Sequence, residues 1–197
     1  MLPVMDAFYT IQGEGYNTGK AAYFIRIGGC DVGCHWCDTR DSWNAEAHQL
    51  TPIDFIVEDA AEHSAKIAVI TGGEPLMYNL DQLTGRLIEK GIKTHLETSG
   101  AYPLSGKWHW ICLSPKKIVP PVGDIHSKAD ELKVIFINRQ DFKRAEEQAA
   151  KVSESCKLYL QPEWGRIGKV LPLIVDFVKY NPKWSISLQT QKYMDIP

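Results

Sequence analysis

Short apolar runs ending in polar turns alternate along this chain with segments of helical periodicity, and this alternation limits the fold more than any other feature. Ala22 to Ile27 reads as a strand, and Lys66 to Thr71 as a buried parallel strand stopped by Gly72-Gly73. Lys93 to Glu97, Trp108 to Leu113, Glu131 to Ile137, Lys157 to Leu160 and Trp184 to Leu188 read as five more. Between them, Thr51-Pro52 predicts an N-cap and first turn of a helix running to about His63. Leu80, Leu83, Leu87 and Ile88 mark a second helix closed by Gly91, and Asp141 to Val152 and Gly168 to Tyr180 mark two more. Such alternation implies right-handed βα crossovers and a parallel sheet. There are too few units for a closed eightfold barrel, which takes about 250 residues. The expectation is an α/β fold, a truncated, open partial (β/α) barrel, formed as a single domain over residues 1–197.

The turns that end these strands are where the unusual residues collect. Gly28-Gly29-Cys30, Thr71-Gly72-Gly73-Glu74, Glu97-Thr98-Ser99-Gly100, Ser114-Pro115-Lys116 and Gln161-Pro162-Glu163 each follow the C-terminal end of an expected strand. In parallel α/β sheets that rim is where sites are built, so all five turns are expected around one mouth.

The first of them opens a C-x3-C-x2-C run, Cys30, Cys34 and Cys37. Three thiolates on one loop suit an iron–sulfur cluster, and because ordinary clusters take four cysteines, one iron is left open for a small molecule. The competing reading is structural zinc in a Cys3His site recruiting His35, His48 or a distant histidine. His35 sits between two ligands and would have to turn back into its own loop. The other two cysteines, Cys112 and Cys156, lie beside apolar runs and read as small buried hydrophobes.

Five cysteines without an export signal argue for reduced thiols. The N-terminus lacks the charged start and apolar run of a signal peptide, no stretch approaches a membrane span, and the expected location is cytoplasmic. A formal net charge of -2 supplies no basic face for nucleic acid. The partner expected is a small molecule.

Thr71-Gly72-Gly73-Glu74-Pro75 alone would be only a turn; its glycines permit close approach to a ligand, and the Glu74 carboxylate is suited to an ammonium group. Behind the cysteine loop it resembles the radical S-adenosylmethionine enzymes. The resemblance implies that Cys30, Cys34 and Cys37 hold a [4Fe-4S] cluster, that the methionine end of S-adenosylmethionine chelates the fourth iron, and that Gly73 contacts its amino group. One electron then cleaves the sulfonium to a radical that abstracts hydrogen from substrate.

Phe8-Tyr9-Thr10-Ile11-Gln12-Gly13-Glu14-Gly15, Tyr23-Phe24-Ile25-Arg26 and Cys37-Asp38-Thr39 narrow the match. They resemble the 7-carboxy-7-deazaguanine synthases, which contract the ring of 6-carboxy-5,6,7,8-tetrahydropterin with loss of ammonia. That resemblance implies substrate contacts at Ile11, Gln12, Gly13, Glu14, Arg26 and Thr71, a Mg²⁺ ligand at Thr39, and S-adenosylmethionine contacts at Gly73, at Ser114, Pro115 and Lys116, and at Gln161, Pro162, Glu163 and Trp164. It also implies a substrate contact at Pro197 and a flavodoxin-like reductant, and a homodimer is expected to close the open side of the barrel, which no extra domain covers. The residue types suit those tasks. Arg26 offers a rigid fork for a carboxylate, Gln12 and Glu14 can pair with the polar edge of a pterin, and a neutral threonine hydroxyl suits a Mg²⁺ that keeps its waters.

Plainer roles stand beside these. Arg26 can pair with Asp31 or Asp38, Thr39 can cap the turn after the cluster loop, Glu97 can be structural or orienting, and a chain end often frays. Trp36 reads as packing over its loop, and His95, His109 and His126 as surface or hydrogen-bonded core histidines. The rivals in function are a glycyl-radical activating enzyme, which leaves Thr10 to Gly15 unexplained, and a zinc-stabilised binding module without catalysis.

Overall fold

In the computed structural model, which describes all residues from Met1 to Pro197, nine strands hydrogen-bond into one open sheet. They are β1 (Leu2–Ile11), β2 (Ala21–Ile27), β3 (Gln49–Thr51), β4 (Ile67–Gly72), β5 (Lys93–Thr98), β6 (Trp110–Leu113), β7 (Glu131–Phe136), β8 (Lys157–Pro162) and β9 (Trp184–Ile186). The order across the sheet is β3-β1-β2-β4-β5-β6-β7-β8-β9, and every pairing from β2 onward is parallel. Helices α1 (Ile53–Glu62), α2 (Asp81–Glu89), α3 (Ile125–Lys128), α4 (Gln140–Ala149) and α5 (Ile167–Tyr180) lie in the crossovers, and a short α6 (Gln191–Met194) follows β9. This is the expected open α/β architecture, with expected and observed element ends differing mostly by one to three residues.

Besides the short β3, α3 and α6, which the sequence reading did not include, two features depart from it. The ten-residue strand β1 was not expected, and it runs antiparallel to β2, with Phe8 opposite Phe24, and antiparallel to β3, with Leu2 opposite Thr51. Its polar and apolar residues do not alternate cleanly, so its partners, not its own pattern, define it. Thr51 is not the N-cap of α1. Its backbone is held extended by pairing with Leu2, Pro52 takes the cap position, and the helix starts at Ile53.

Side chains alternate across the parallel strands and divide two environments between them. Ile25, Ile27, Ala68, Ile70, Leu96, Leu113, Leu132, Val134 and Phe136 face the helices and join a core of 29 buried residues that includes Val57, Leu83, Leu87, Ala145 and Ile174. Each such Leu, Ile or Val contributes about 1.5–3 kcal/mol by leaving water. Their neighbours Phe24, Arg26, Thr71, Glu97, Cys112, Lys133 and Gln161 face the other way and line one cavity.

Candidate active site

The cavity on that inner face has a volume of ≈ 290 Å³. All five strand-end turns reach it, through Cys30, Gly73, Ser99, Lys116 and Pro162 among others. Of the expected site residues, Ile11, Gln12, Gly13, Glu14, Arg26, Cys30, Cys34, Cys37, Thr39, Thr71, Gly73, Ser114, Lys116, Gln161, Pro162, Glu163, Trp164 and Pro197 line it. Pro115 does not; its carbonyl instead accepts from Arg144 Nη1 at 3.0 Å.

The cysteine loop is pinned at both ends. Cys30 N donates to Trp43 O at 3.1 Å, Cys37 N donates to Cys34 O at 3.0 Å, and the Arg40 guanidinium donates to the carbonyl of His35. All three thiols are free of disulfides and open on the same cavity. Burial raises the Cys30 and Cys34 thiols, and the neighbouring cysteines push in the same direction, so their thiolates call for a positive partner. Among the lining residues there is no histidine. His48 is committed to the carbonyl of Asp41 at 2.8 Å, and His35 lies edge-on to Trp36 outside the cavity lining. The donors on the loop are therefore three thiolates, the number a cluster with one open iron takes, although they are not drawn together into a metal group here, and a Cys3His zinc site finds no histidine in the lining.

The Gly72-Gly73 turn packs directly on that loop. Gly73 N donates to Ile27 O at 3.0 Å and Glu74 N donates to Gly29 O at 2.8 Å. A Cβ on Gly73 would sit 2.2 Å from Gly29 O and 2.9 Å from Cys30 Cβ, so backbone and cysteine loop touch there because there is no side chain. Glu74 does not offer its carboxylate to a ligand, contrary to expectation. It is 1% exposed and accepts from Leu76 N (3.1 Å), Thr98 Oγ1 (2.5 Å), Ser99 N (2.8 Å) and Ser99 Oγ (2.5 Å). All of its hydrogen-bonding capacity is spent tying the β4 turn to the β5 turn.

On the opposite wall Glu14 accepts from Lys133 Nζ at 2.5 Å, Gln161 Nε2 at 3.1 Å, Gln189 Nε2 at 2.9 Å and Gln191 Nε2 at 3.2 Å. Burial alone would raise its carboxyl, but Lys133 and the side-chain amides outweigh it and bring the pKa down to about 2. Burial would lower the Lys133 ammonium, yet Glu14 and then Glu97, 3.6 Å away, carry it well above the ordinary lysine range. Gln12 is also engaged, donating from Nε2 to Glu97 at 2.9 Å and accepting from Glu14 N at 3.0 Å. Glu97 thus has an orienting partner on each side. Arg26 pairs with Asp6 through Nη1 at 3.0 Å, not with Asp31 or Asp38, and lies over the Phe8 ring at 5.3 Å.

A strap from Ser187 to Pro197 covers one side of the cavity. Gln189 Nε2 and Lys192 Nζ reach Asp38 Oδ2 at 3.0 and 3.2 Å, and Thr190 Oγ1 donates to Gly13 O at 2.9 Å. Lys192 also lies 4.9 Å from the Trp164 ring, and the Thr10 hydroxyl donates to Pro197 O at 3.4 Å. Thr39, next to Asp38, both lines the cavity and starts the following 3₁₀ turn with its backbone. Lys133, Gln189 and Gln191 escaped the sequence reading, and Asp38 was read there only as an alternative partner of Arg26. For Lys133 there was a signal, a lysine two residues after Glu131 in an otherwise apolar strand.

The match to the Radical SAM superfamily model spans residues 24–111. The 7-carboxy-7-deazaguanine synthase of Flavobacterium psychrophilum is 58% identical over the whole chain, which covers 93% of that relative. The enzyme of the same name from Synechocystis sp. is 43% identical over 98% of this chain and 93% of its own length. The crystal structure of QueE from Escherichia coli superposes with a TM-score of 0.80 at 28% identity, covering 95% of this chain and 93% of that one.

Proposed function

The chain belongs to the 7-carboxy-7-deazaguanine synthase family of radical S-adenosylmethionine enzymes, and we propose how its residues divide that work. It is a lyase of queuosine biosynthesis that converts 6-carboxy-5,6,7,8-tetrahydropterin to 7-carboxy-7-deazaguanine with loss of ammonia. The observation that carries the reading is the meeting of three free cysteines, the Gly73 turn and the Glu14–Lys133 wall around one cavity that no histidine lines. When bound, the [4Fe-4S] cluster and S-adenosylmethionine supply the one-electron chemistry that starts the reaction.

Cys30, Cys34 and Cys37 would hold the cluster, and Gly73, whose missing side chain lets its backbone pack on Cys30, would meet the methionine end of the cofactor. Ser114 and Lys116, joined at 2.7 Å, and the Gln161–Trp164 segment form the remaining cofactor wall, with Pro115 shaping the turn between them. Arg26 keeps Nη2 and Nε for a substrate carboxylate while Asp6 fixes its orientation through Nη1. Ile11 to Glu14 and Thr71 would hold the pterin ring, Thr39 the Mg²⁺, and Pro197 the outer side of the substrate. With Gln12 and Glu14 already tied to Glu97 and Lys133, substrate meets a preset hydrogen-bonding surface and pays little to order it. The strap and the cofactor exclude water from this chamber.

The work is done by a single domain in the cytoplasm, as a homodimer, with a flavodoxin-like protein as electron donor. No helix is long and apolar enough to cross a membrane, in keeping with that location.

The test is to incubate reduced, reconstituted enzyme with the carboxypterin, S-adenosylmethionine and Mg²⁺, and to assay metal. About four iron per chain and formation of the deazaguanine are expected. Colourless protein with stoichiometric zinc, or activation of a partner polypeptide without turnover of the pterin, would sink the reading.

A further inference from the structure

Behind the Gln12–Glu97 hydrogen bond lies a second cavity of ≈ 10 Å³, about the room one water-sized molecule needs. Gln12, Glu14, Glu97 and Cys112 line both cavities and form the partition between them. On the far side stand His95, Trp110, Glu131 and Asn17. Strand alternation puts His95 on the same face of β5 as Glu97, and Glu131 on the same face of β7 as Lys133.

His95 was expected to be a surface or satisfied core histidine. His109 and His126 fit that description, bonded to Thr94 and Gln148. His95 does not. It is 9% exposed, lines the small cavity, and has no protein partner for either ring nitrogen. Glu131 lines the same cavity; its Oε2 accepts from Tyr16 N at 3.2 Å and Trp110 Nε1 at 3.1 Å, while its Oε1 makes no hydrogen bond and lies against Gly15. Burial, reinforced by Lys20, His109 and Lys93, lowers the His95 pKa to about 4, so the ring is neutral and offers one donor and one acceptor. At the outer end, Tyr16, itself half exposed, stacks on Trp110 at 4.8 Å.

A neutral imidazole facing carboxylates in a one-molecule space suits a small neutral species that both donates and accepts hydrogen bonds. Water and ammonia share that chemistry. Resting on the function proposed above, in which ammonia is released on the other side of the partition, we propose that the His95 cavity is the receiving site and outlet for that ammonia. Release toward the floor separates the leaving group from the organic product, which occupies the large cavity. No bond forms or breaks at this site, and no proton need be supplied by the protein, since ammonia arrives neutral. Transfer across the partition requires that the Gln12–Glu97 hydrogen bond opens while Lys133 and Glu14 N keep hold of the two side chains.

The test uses the full-length, cluster-loaded, oxidised enzyme carrying ¹⁵N in its histidine rings. Ammonium chloride is titrated at alkaline pH against potassium chloride of equal concentration, and the His95 signal is assigned by its loss in His95→Gln. A saturable His95 shift with ammonium alone is expected, with half-saturation about tenfold higher in Glu131→Gln. Equal response to both salts, or a bound water that ammonium leaves in place, overturns the outlet. Turnover of the carboxypterin in the same preparation reports separately on the assigned reaction, so its loss and the outlet's failure are distinguishable.

Discussion

Lys133 and Glu14, 119 positions apart in sequence, meet on the inner face of the sheet with Nζ 2.5 Å from Oε2. Lys133 has a side chain 5% exposed and Glu14 15%, so neither charge can turn to bulk water if the other is removed. The pair brings the first strand's end and the seventh strand together and holds the wall on which a pterin would rest.

Removing one partner strands the other. Lys133→Met is expected to cost about 3–5 kcal/mol of stability by denaturant unfolding, because a buried carboxylate then lacks its counter-charge. Combining it with Glu14→Gln should return much of that loss. A double-mutant cycle with additive losses would show that the two side chains do not act as a pair.

Acid should act through the same carboxylate. Its folded pKa of about 2 lies below its ordinary value of 4.5, so its contribution is fully present above about pH 4.5 and drains away as pH falls toward 2. Near-UV circular dichroism across that window should show a steeper loss for wild type than for Glu14→Gln.

Glu74 makes four hydrogen bonds from a fully buried site, so Glu74→Ala leaves four donors without an acceptor. We expect a loss of about 2–4 kcal/mol in thermal or chemical unfolding, larger than for Glu74→Gln, which keeps an acceptor.

Gly73→Ala would drive a methyl group into Gly29 O and Cys30 Cβ. Iron per chain and S-adenosylmethionine affinity should both fall, the latter by about tenfold or more, corresponding to the 1–3 kcal/mol cost of overpacking. Gly168→Ala, in open space on α5, is the control and should change neither.

Asp38→Ala cuts the strap free of the cysteine loop, since Lys192 loses its acceptor and Gln189 keeps only Glu14. Amide exchange in residues 187–197 should speed up, and KM for the carboxypterin should rise by about tenfold. Unchanged exchange would mean that the ties to Glu14 and Gly13 hold the strap without Asp38.

The seven parallel strands were legible because each is a short apolar run stopped by turn residues, and the rim followed from where those turns fall. β1 was not, since its place depends on antiparallel partners at residues 21–27 and 49–51 that no local pattern announces. The cysteines stood out by spacing, and Gly73 and Arg26 by the resemblance of their segments to a known family. Lys133, Gln189 and Gln191 act only because the sheet curls them onto Glu14, more than a hundred positions away. Glu74 shows the opposite error. Its motif made it conspicuous, but only the folded contacts show that its carboxylate is consumed at home.

The division of each strand into an apolar outer face and a polar inner one separates two kinds of tolerance to change. Substitutions at Ile25 or Ile70 act on whether the chain folds, whereas those at their neighbours Arg26 or Thr71 act first on what the chamber binds. A variant library confined to the inner positions would thus vary ligand preference with the helix-facing scaffold held constant. The Glu14–Lys133 pair marks the limit of that freedom, because there the chamber wall is also a structural tie.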